Sequence, residues 1–175
     1  MAFSDVEENI SHLHLHPGAR VADFGAGSGA VSFALSRKVG GTGHVYAIDV
    51  QKEMLAKLKA HANEQHFRNI EVLWANCEER GGTRLADASL DAVVLSNVLF
   101  QADDREGMVG EAKRLLKPGG ELLVVDWSAS FGGMGPAPEH VLPEQKAREV
   151  IESAGLRFVS GFHAGAHHYG LLYTS

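Results

Sequence analysis

The stretch VADFGAGSGA, residues 21–30, places three glycines at alternate positions directly after a short apolar run. Gly25, Gly27 and Gly29 lack a Cβ atom, so this backbone can adopt positive φ and pass close to a ligand. A helix that begins after the glycines directs its free N–H groups toward the same ligand. The stretch also fits the G-x-G-x-x-G/A fingerprint of dinucleotide sites, with Ala30 last. The sequence therefore predicts a strand, a tight turn and a helix around a ligand; a turn without a ligand is the plainer alternative.

Strand and helix patterns alternate on both sides of this turn. Such alternation is typical of a parallel sheet that is covered by helices on both faces and binds ligands at the carboxyl ends of its strands. The two last strands are joined by a short link at residues 164–166, which predicts a closing hairpin. The predicted strands are 20–24, 44–49, 70–74, 90–96, 121–127, 156–162 and 168–174, and the predicted helices are 29–39, 51–64, 104–116 and 144–154.

Composition restricts the class of protein. The chain has 175 residues, of which 45% are apolar, and this is enough for one domain with a core. No apolar run approaches the roughly 18 residues of a membrane helix, and the first residues do not resemble a secretory signal. The formal net charge is −6, which argues against a nucleic-acid partner. A small molecule is therefore the expected substrate. Cys77 is the only cysteine, which fits a protein of the reducing cytoplasm.

Two acidic residues near the glycines narrow the ligand class. Asp49 ends the second predicted strand, twenty residues after Gly29, where a carboxylate can accept hydrogen bonds from the ribose hydroxyls of an adenosine. NAD and S-adenosylmethionine both contain that group. Asp23 favours S-adenosylmethionine, because a carboxylate repels a pyrophosphate and attracts an ammonium and a sulfonium. Asp23 can equally cap the turn through backbone N–H groups, and the two roles are compatible.

Longer segments resemble the class I S-adenosylmethionine-dependent methyltransferases. The similarity lies in PGARVADFGAGSG (17–29), in AIDVQKEML (47–55) and in LDAVVLSNVLFQADDREGMVGEAKRLLKPGGELLVVDW (90–127), which resembles the fourth and fifth motifs of that superfamily. The loop MGPAPEH and the ending HHYGLLY are similar to small members of the group that includes the ubiquinone and menaquinone biosynthesis C-methyltransferases. The resemblance implies an α/β fold, a Rossmann-like three-layer sandwich. Its sheet would have seven strands, mostly parallel, in the order 3-2-1-4-5-7-6 with strand 7 antiparallel.

The resemblance also implies where the cofactor binds. Asp23 and the backbone of Gly25 and Gly27 would face the methionine end. Asp49 would hold the ribose, and Val50 would flank the adenine.

Two further pairs of residues follow from the same resemblance. Asn76 and Cys77 fall where the family usually has an acid and an apolar residue; Asn76 would accept the adenine amino group, less strongly than a charged group, and Cys77 would offer its backbone N–H. Ser96 and Asn97 would lie near the reactive methyl group, or cap a turn. The whole predicted cofactor set is Asp23, Gly25, Ala26, Gly27, Asp49, Val50, Met54, Asn76, Cys77 and Ser96.

Methyl transfer depends mainly on alignment of the two reactants, because the sulfonium already activates the methyl carbon. No metal is therefore expected, and a base is needed only where the acceptor loses a proton. The predicted catalytic set is Asn97, His140 and His168, although packing or exposure is the plainer explanation of each histidine. His140 lies in a Gly/Pro-rich loop, 128–143, that we expect to roof the substrate. Asp126 is a second candidate for substrate contact, or a loop cap.

The N-terminus departs from the family pattern, because only residues 1–16 precede the first motif. One short helix within 4–13, capped by Ser4 or Asp5, is predicted there. Many relatives have further helices over the substrate. We therefore expect one domain, 1–175, whose pocket is open or is closed by the 128–143 loop or by a partner chain, in a monomer or homodimer.

Three functions stay open at this point. They are a small-molecule methyltransferase, a nicotinamide-dependent oxidoreductase, and a cofactor-binding regulatory domain without turnover. Asp23 speaks against the second. Arsenite methylation is not expected, because Cys77 alone cannot supply several thiolates.

Overall fold

The computed structural model describes residues 4–133 and 135–175. The strands are β1 (Arg20–Phe24), β2 (His44–Asp49), β3 (Ile70–Trp74), β4 (Leu90–Ser96), β5 (Leu116–Trp127), β6 (Arg157–His163) and β7 (His168–Thr174). The α-helices are α1 (Val6–Ser11), α2 (Ala30–Val39), α3 (Lys52–Glu64), α4 (Arg105–Leu115) and α5 (Glu144–Ser153), and two 3-10 turns span Leu99–Gln101 and Pro138–His140.

The strands form one seven-stranded sheet in the order β3-β2-β1-β4-β5-β7-β6. Neighbouring strands from β3 to β5 run parallel, whereas β7 is antiparallel to both β5 and β6. This confirms the predicted fold class, the strand order and the closing hairpin. The glycine turn leaves β1 where the chain continues to β2 on one side and β4 lies on the other, which is the switch point of such sheets.

Both faces of the central strands are buried, as expected for a parallel sheet between helices. On one face, Phe24 of β1 and Leu95 of β4 belong to an apolar cluster that also includes side chains of α4 and α5. On the other face, Val21 and Val94 join a cluster that includes residues of α1 and α2. None of the helices in the described part of the chain is both long and apolar enough to cross a bilayer.

The start of β5 differs from the prediction. We expected the strand to begin at 121, after the Lys117–Gly120 stop signal, but Leu116 already pairs with Leu90 of β4. The register then shifts before Ala92 pairs with Glu121, because the turn at the Pro-Gly-Gly sequence lies inside the paired segment. The stop signal therefore marks the end of α4, but pairing of β5 with β4 begins before it.

The short N-terminal helix is confirmed. The carboxylate of Asp5 accepts the N–H groups of Glu7 and Glu8 at 3.0 and 3.2 Å, so Asp5 is the N-cap of α1. Side-chain capping of this kind satisfies N–H groups that have no partner within the helix.

The glycines of the turn are required by space as well as by backbone conformation. Gly25, Gly27 and Gly29 have φ of 71°, 51° and 94°. A Cβ atom on Gly29 would lie 2.8 Å from Cγ of Leu58 and 2.9 Å from Cε2 of Phe33. The turn therefore packs directly against α3, and a side chain at position 29 would force the two apart.

We expect Gly29→Ala to lower the free energy of unfolding by about 2–5 kcal/mol, from the left-handed backbone and from overpacking. Urea denaturation measures this change. The control is Gly110→Ala, since the space around Gly110 of α4 is open, and it should be neutral or stabilising by up to about 1 kcal/mol. Equal stability of the Gly29→Ala variant and the wild type would contradict the steric explanation.

Candidate functional site

A cavity of about 280 Å³ lies beside the glycine turn, at the carboxyl ends of β1, β2 and β3. Its walls come from the turn and from the segments that follow β2, β3 and β4. This is the place where sheets of this topology bind ligands. The lining residues are Gly25, Gly27, Asp49, Val50, Gln51, Ala75, Asn76, Cys77, Glu78, Val98, Gln101, Ala102 and Met108.

Asp49 joins the glycine turn to the end of β2. One oxygen of its carboxylate accepts the N–H of Gly27 at 2.9 Å, and the other accepts the N–H of Gln51 at 2.8 Å. The residue is only 7% exposed, yet it lines the cavity. Each carboxylate oxygen has lone pairs left over. Asp49 can therefore hold the turn and still accept hydrogen bonds from a ligand.

The backbone N–H groups of the turn are largely used within the protein. Gly25 and Ala26 both donate to the carbonyl of Ile48, at 2.8 and 3.0 Å. Gly29 donates to the carbonyl of Ala26, and Gly27 donates to Asp49. A phosphate-binding turn needs free N–H groups that point at the anion. This turn offers few of them.

Asp23 lies behind the turn and is not part of the cavity wall. Its side chain is 1% exposed and accepts the hydroxyl of Ser32 in α2 at 2.6 Å. Burial raises the pKa of Asp23 to about 7, and the nearby charge of Asp49 raises it further, against the lowering effect of Ser32. The contact in the structure is therefore one that ties β1 to α2.

The cavity is acidic. Asp49 and Glu78 both line it, and among the residues that the structure describes the lining includes no lysine, arginine or histidine. Cys77 is buried in the same wall; burial, and then the charges of surrounding carboxylates, raises the pKa of its thiol far above the usual range. The site therefore favours a cationic ligand, and Cys77 is not a thiolate.

The segment after β3 is held by α4. Glu111 is fully buried and accepts hydrogen bonds from the N–H of Gly81 at 2.7 Å, from the hydroxyl of Thr83 at 2.6 Å and from Arg114 at 2.7 Å. Burial alone would raise the pKa of Glu111, but hydrogen bonds from Arg114, Thr83 and Gly81 lower it to about 2. This network fixes the loop that carries Asn76 and its neighbours.

Asn97 follows β4 beside the cavity-lining Val98. Its φ is +55°, its N–H donates to the carbonyl of Val125 at 2.8 Å, and its carbonyl accepts the side chain of Gln101. Within the described part of the chain, its buried Oδ1 has no hydrogen-bond partner. The lone pairs of this oxygen are therefore not used by the described residues.

The Asp126 side chain caps backbone N–H groups, which was one of its two predicted roles. Its two carboxylate oxygens accept the N–H groups of Phe100 and Trp127 at 2.9 and 2.8 Å, and the residue is fully buried. Burial raises the pKa of Asp126 to about 6, although both backbone hydrogen bonds lower it. Asp126 thereby fixes the 3-10 turn Leu99–Gln101, which carries one cavity-lining side chain.

The predicted histidines lie away from the cavity. His140 is exposed in the 3-10 turn Pro138–His140. His168 is buried at the start of β7, with its ring 4.3 Å from that of Trp127. In the loop 128–143, the ring of Phe131 lies 3.8 Å from that of His167, tilted by 39°, so Phe131 packs beside the start of β7.

The structure brings together six of the predicted cofactor residues. Ser96 lines a separate narrow cleft beside α1, and Ala26 is buried in the turn. Met54 lies in the first turn of α3. The predicted residues in the lining are Gly25, Gly27, Asp49, Val50, Asn76 and Cys77, and those outside it are Asp23, Ala26, Met54, Ser96, Asn97, His140 and His168.

The sequence analysis missed several lining residues. Glu78 lies two residues after Asn76 in the segment after β3, so its position could have indicated a place in the cavity wall. Gln101 and Val98 follow β4, but nothing in their residue types indicated a ligand. Met108 belongs to the apolar face of α4 and is typical of a core residue. In the described residues, no group of three or more His, Cys, Asp or Glu side chains is arranged to hold a metal.

The fold and the cavity define a Rossmann-like domain with a candidate ligand site at the carboxyl ends of β1, β2 and β3. The sequence profile of the methyltransferase domain family matches residues 15–157. The chain therefore belongs to this family, and the resemblance seen in the sequence is confirmed.

Individual relatives agree with this assignment. The chain is 37% identical over 113 residues to an arsenite methyltransferase of Aquipseudomonas alcaligenes, covering 62% of this chain and 33% of the relative. It is 34% identical over 113 residues to a ubiquinone/menaquinone biosynthesis C-methyltransferase of Vibrio campbellii, covering 64% and 42%. The matches thus span one third to less than half of these relatives. A crystal structure of an S-adenosylmethionine-dependent methyltransferase from Aquifex aeolicus is similar with a TM-score of 0.89 and 30% identity, over 98% of this chain and 89% of that one.

We expect Asp23→Asn to remove a pH dependence of stability. The pKa of Asp23 is about 7 in the folded protein and near 3.8 in the unfolded chain, so the folded state binds the additional proton between these values. Raising the pH from about 4 to 7 should therefore lower the free energy of unfolding of the wild type relative to the variant, by on the order of 4 kcal/mol. Above pH 7 the difference should stay constant.

Urea denaturation between pH 4 and 8.5 measures this difference. Asp103→Asn removes a carboxylate from an exposed position and should give a curve parallel to that of the wild type. Parallel curves for Asp23→Asn as well would show that Asp23 keeps its ordinary ionisation.

Proposed function

We propose that this chain binds S-adenosylmethionine in the cavity and transfers its methyl group to a small-molecule acceptor, leaving S-adenosylhomocysteine. The observation that carries the proposal is the acidic lining, in which Asp49 and Glu78 are present and no basic side chain is found among the described residues. S-adenosylmethionine carries an ammonium and a sulfonium, which carboxylates attract. A nicotinamide dinucleotide carries a diphosphate, which they repel.

The glycine turn supports the same ligand. Its N–H groups at Gly25, Ala26 and Gly27 donate to Ile48 and Asp49. A diphosphate would therefore find few free donors in the turn and no basic side chain in the described cavity lining. A sulfonium nucleoside requires only close approach of the backbone, which glycine permits.

Each wall of the cavity has a role in this proposal. The carboxylate of Asp49 accepts hydrogen bonds from the ribose hydroxyls. Val50 is 59% exposed at the rim, where its side chain can cover one face of the adenine. Asp23 is assigned to the methionine end, where it acts through the turn and α2. The bound cofactor supplies the activated methyl group, and the residues of this chain orient it and exclude water.

The acceptor is assigned to the side of the cavity formed by the residues after β4. The buried Oδ1 of Asn97 would accept an N–H or O–H of the acceptor and so align it. His140 and His168 are proposed as bases only for an acceptor that loses a proton; neither lines the cavity, so such an acceptor would have to extend beyond it toward the 128–143 loop or the start of β7. Cys77 is buried and keeps its proton, which favours an organic acceptor over trivalent arsenic.

The acceptor class, the compartment and the oligomeric state are part of the same proposal. The net charge of −6 favours a small metabolite over a nucleic acid as acceptor. The single thiol is compatible with the reducing cytoplasm, which we propose as the compartment. We also propose that the chain acts as one domain, as a monomer or homodimer.

Binding and turnover together test the function. Calorimetry should detect binding of S-adenosylmethionine and S-adenosylhomocysteine, and none of NAD. A labelled methyl group should also pass from S-adenosylmethionine to a component of a metabolite extract. Uptake of NAD without either sulfur nucleoside would overturn the proposal, and binding of S-adenosylmethionine without any transfer would indicate a regulatory domain.

We expect Asp49→Ala to weaken S-adenosylhomocysteine binding by about 10–100-fold, because hydrogen bonds to a charged acceptor are lost. The matched control is Glu53→Ala, which removes an exposed carboxylate nearby in α3 and should leave affinity unchanged. Circular dichroism would show that both variants are folded. Full affinity in a folded Asp49→Ala variant would exclude Asp49 from the ribose contact.

A further inference from the structure

The segment after β4, residues 98–102, is held by charged side chains on two sides. From the end of β5, the carboxylate of Asp126 accepts the N–H of Phe100 at 2.9 Å. From the first residue of α4, Arg105 donates to two carbonyl oxygens, through Nε to Leu99 at 3.1 Å and through Nη2 to Phe100 at 2.9 Å. The N–H and C=O groups of this short turn are therefore bound in opposite directions, which fixes its backbone.

The two charged side chains also interact electrostatically. Burial raises the pKa of Asp126 to about 6, its two backbone hydrogen bonds lower it, and the positive charge of Arg105 lowers it further. From β7, Tyr169 pairs with Asp126 and His168 pairs with the next residue of β5. The phenol of Tyr169 donates to the carbonyl of Leu142 at 3.0 Å. The charge of Arg105 thus favours the ionised form of Asp126, which accepts two N–H groups.

The 98–102 segment supports the glycine turn from the β4 side. A Cβ atom on Gly25 would lie 2.6 Å from Cγ2 of Val98, so the side chain of Val98 fills the space directly beside the turn. Asp49 holds the same turn from the β2 side. A shift of the 98–102 segment would therefore move the part of the cavity wall where the methyl donor is assigned to bind.

The same segment supports the residue that is assigned to the acceptor. The side-chain nitrogen of Gln101 donates to the carbonyl of Asn97 at 3.1 Å. Asn97 adopts a φ of +55°, and its N–H donates to the carbonyl of Val125. The position of Asn97 thus depends on a contact from within the 98–102 segment. One short segment therefore joins the donor side of the cavity to the acceptor side.

Resting on the proposed function, we propose that Arg105 is a positioning residue for methyl transfer. Together with Asp126 it fixes the 98–102 segment, so that the donor beside Gly25 and the acceptor beside Asn97 meet in one geometry. Arg105 itself does not line the cavity. Alignment supplies much of the rate in such a reaction, and a misplacement of about 1 Å can cost roughly 100-fold. Loss of Arg105 should therefore impair transfer much more than cofactor binding.

The test compares transfer with binding in the Arg105→Met variant, which loses the donors and the charge but keeps an unbranched side chain. The rate is that of labelled methyl transfer from S-adenosylmethionine to a metabolite extract, and the affinity is that of S-adenosylhomocysteine in calorimetry. We expect the rate to fall by about 10–100-fold and the affinity by less than about threefold, because the assigned contact of Asp49 to the ribose is unchanged. Circular dichroism verifies that the variant is folded.

Two further substitutions serve as rescue and control. Arg105→Lys keeps the positive charge and can donate to one carbonyl at a time, so it should recover part of the lost rate. Arg68→Met removes an exposed arginine that does not line the cavity. Its rate and affinity should equal those of the wild type.

The pH dependence of the rate distinguishes positioning from a simple loss of stability. Protonation turns one oxygen of Asp126 into a donor, so one N–H group loses its acceptor. We therefore expect transfer by the wild type to fall below about pH 6. Arg105→Met should move this decline to higher pH, because the cation that favours ionisation is removed. Asp126→Asn should be slow at every pH and lack the decline. Asp23 and His168 are common to these variants, so their titration cancels in the comparison.

The possible results separate the inference from the proposed function. A wild-type rate in a folded Arg105→Met variant would overturn the inference and leave the function intact. Equal losses of rate and affinity would also overturn it, because the segment would then only shape the cavity. A decline at the same pH in Arg105→Met and the wild type would contradict the joint action with Asp126. Absence of methyl transfer by the wild type would overturn the proposed function and the inference with it.

Discussion

The carboxylate of Asp49 is the contact on which the site depends, because it closes the glycine turn against the end of β2. Its two oxygens receive the N–H groups of Gly27 and Gln51. The turn can take this shape only because its glycines adopt positive φ and because α3 leaves no room for a side chain at Gly29. Sterics and one hydrogen-bonded carboxylate thus create the cavity together, and neither alone would hold the backbone so close to a ligand.

The opposite wall depends on a second buried carboxylate, on a different element. Glu111 of α4 and its partner Arg114 hold the loop after β3 through Gly81 and Thr83. Removing one partner of such a pair leaves an uncompensated buried charge, which is strongly destabilising. The N-terminus of α4 holds the same loop through Glu78. This wall of the cavity is therefore an extension of α4 as much as of the sheet, and the loop and the helix should move together.

Electrostatics separates the two nucleotide classes that share this turn. A dinucleotide site needs free N–H donors at the anionic diphosphate, and a carboxylate close to the diphosphate would repel it. Here the N–H donors are used internally, and the cavity wall contains Asp49 and Glu78. The contribution of Asp23 differs from the simplest interpretation of the sequence, since it is buried against Ser32 and its pKa is raised. The acidic character of the site comes mainly from the residues after β2 and β3.

The sequence by itself determined most of the secondary structure, the class of fold and the residues at most of the strand ends. Local patterns are sufficient for this, because apolar runs, glycines and caps act over a few residues, as at 20–24 and Asp5. It could not show that Asp23 is buried against Ser32, that Asn76 accepts the N–H of Glu78 within its own loop, or that Glu78 accepts the N–H of Asp104. Only the tertiary structure decided these points. Burial and hydrogen-bond partners of a polar side chain depend on elements distant in the chain, such as α4, and no local pattern records them.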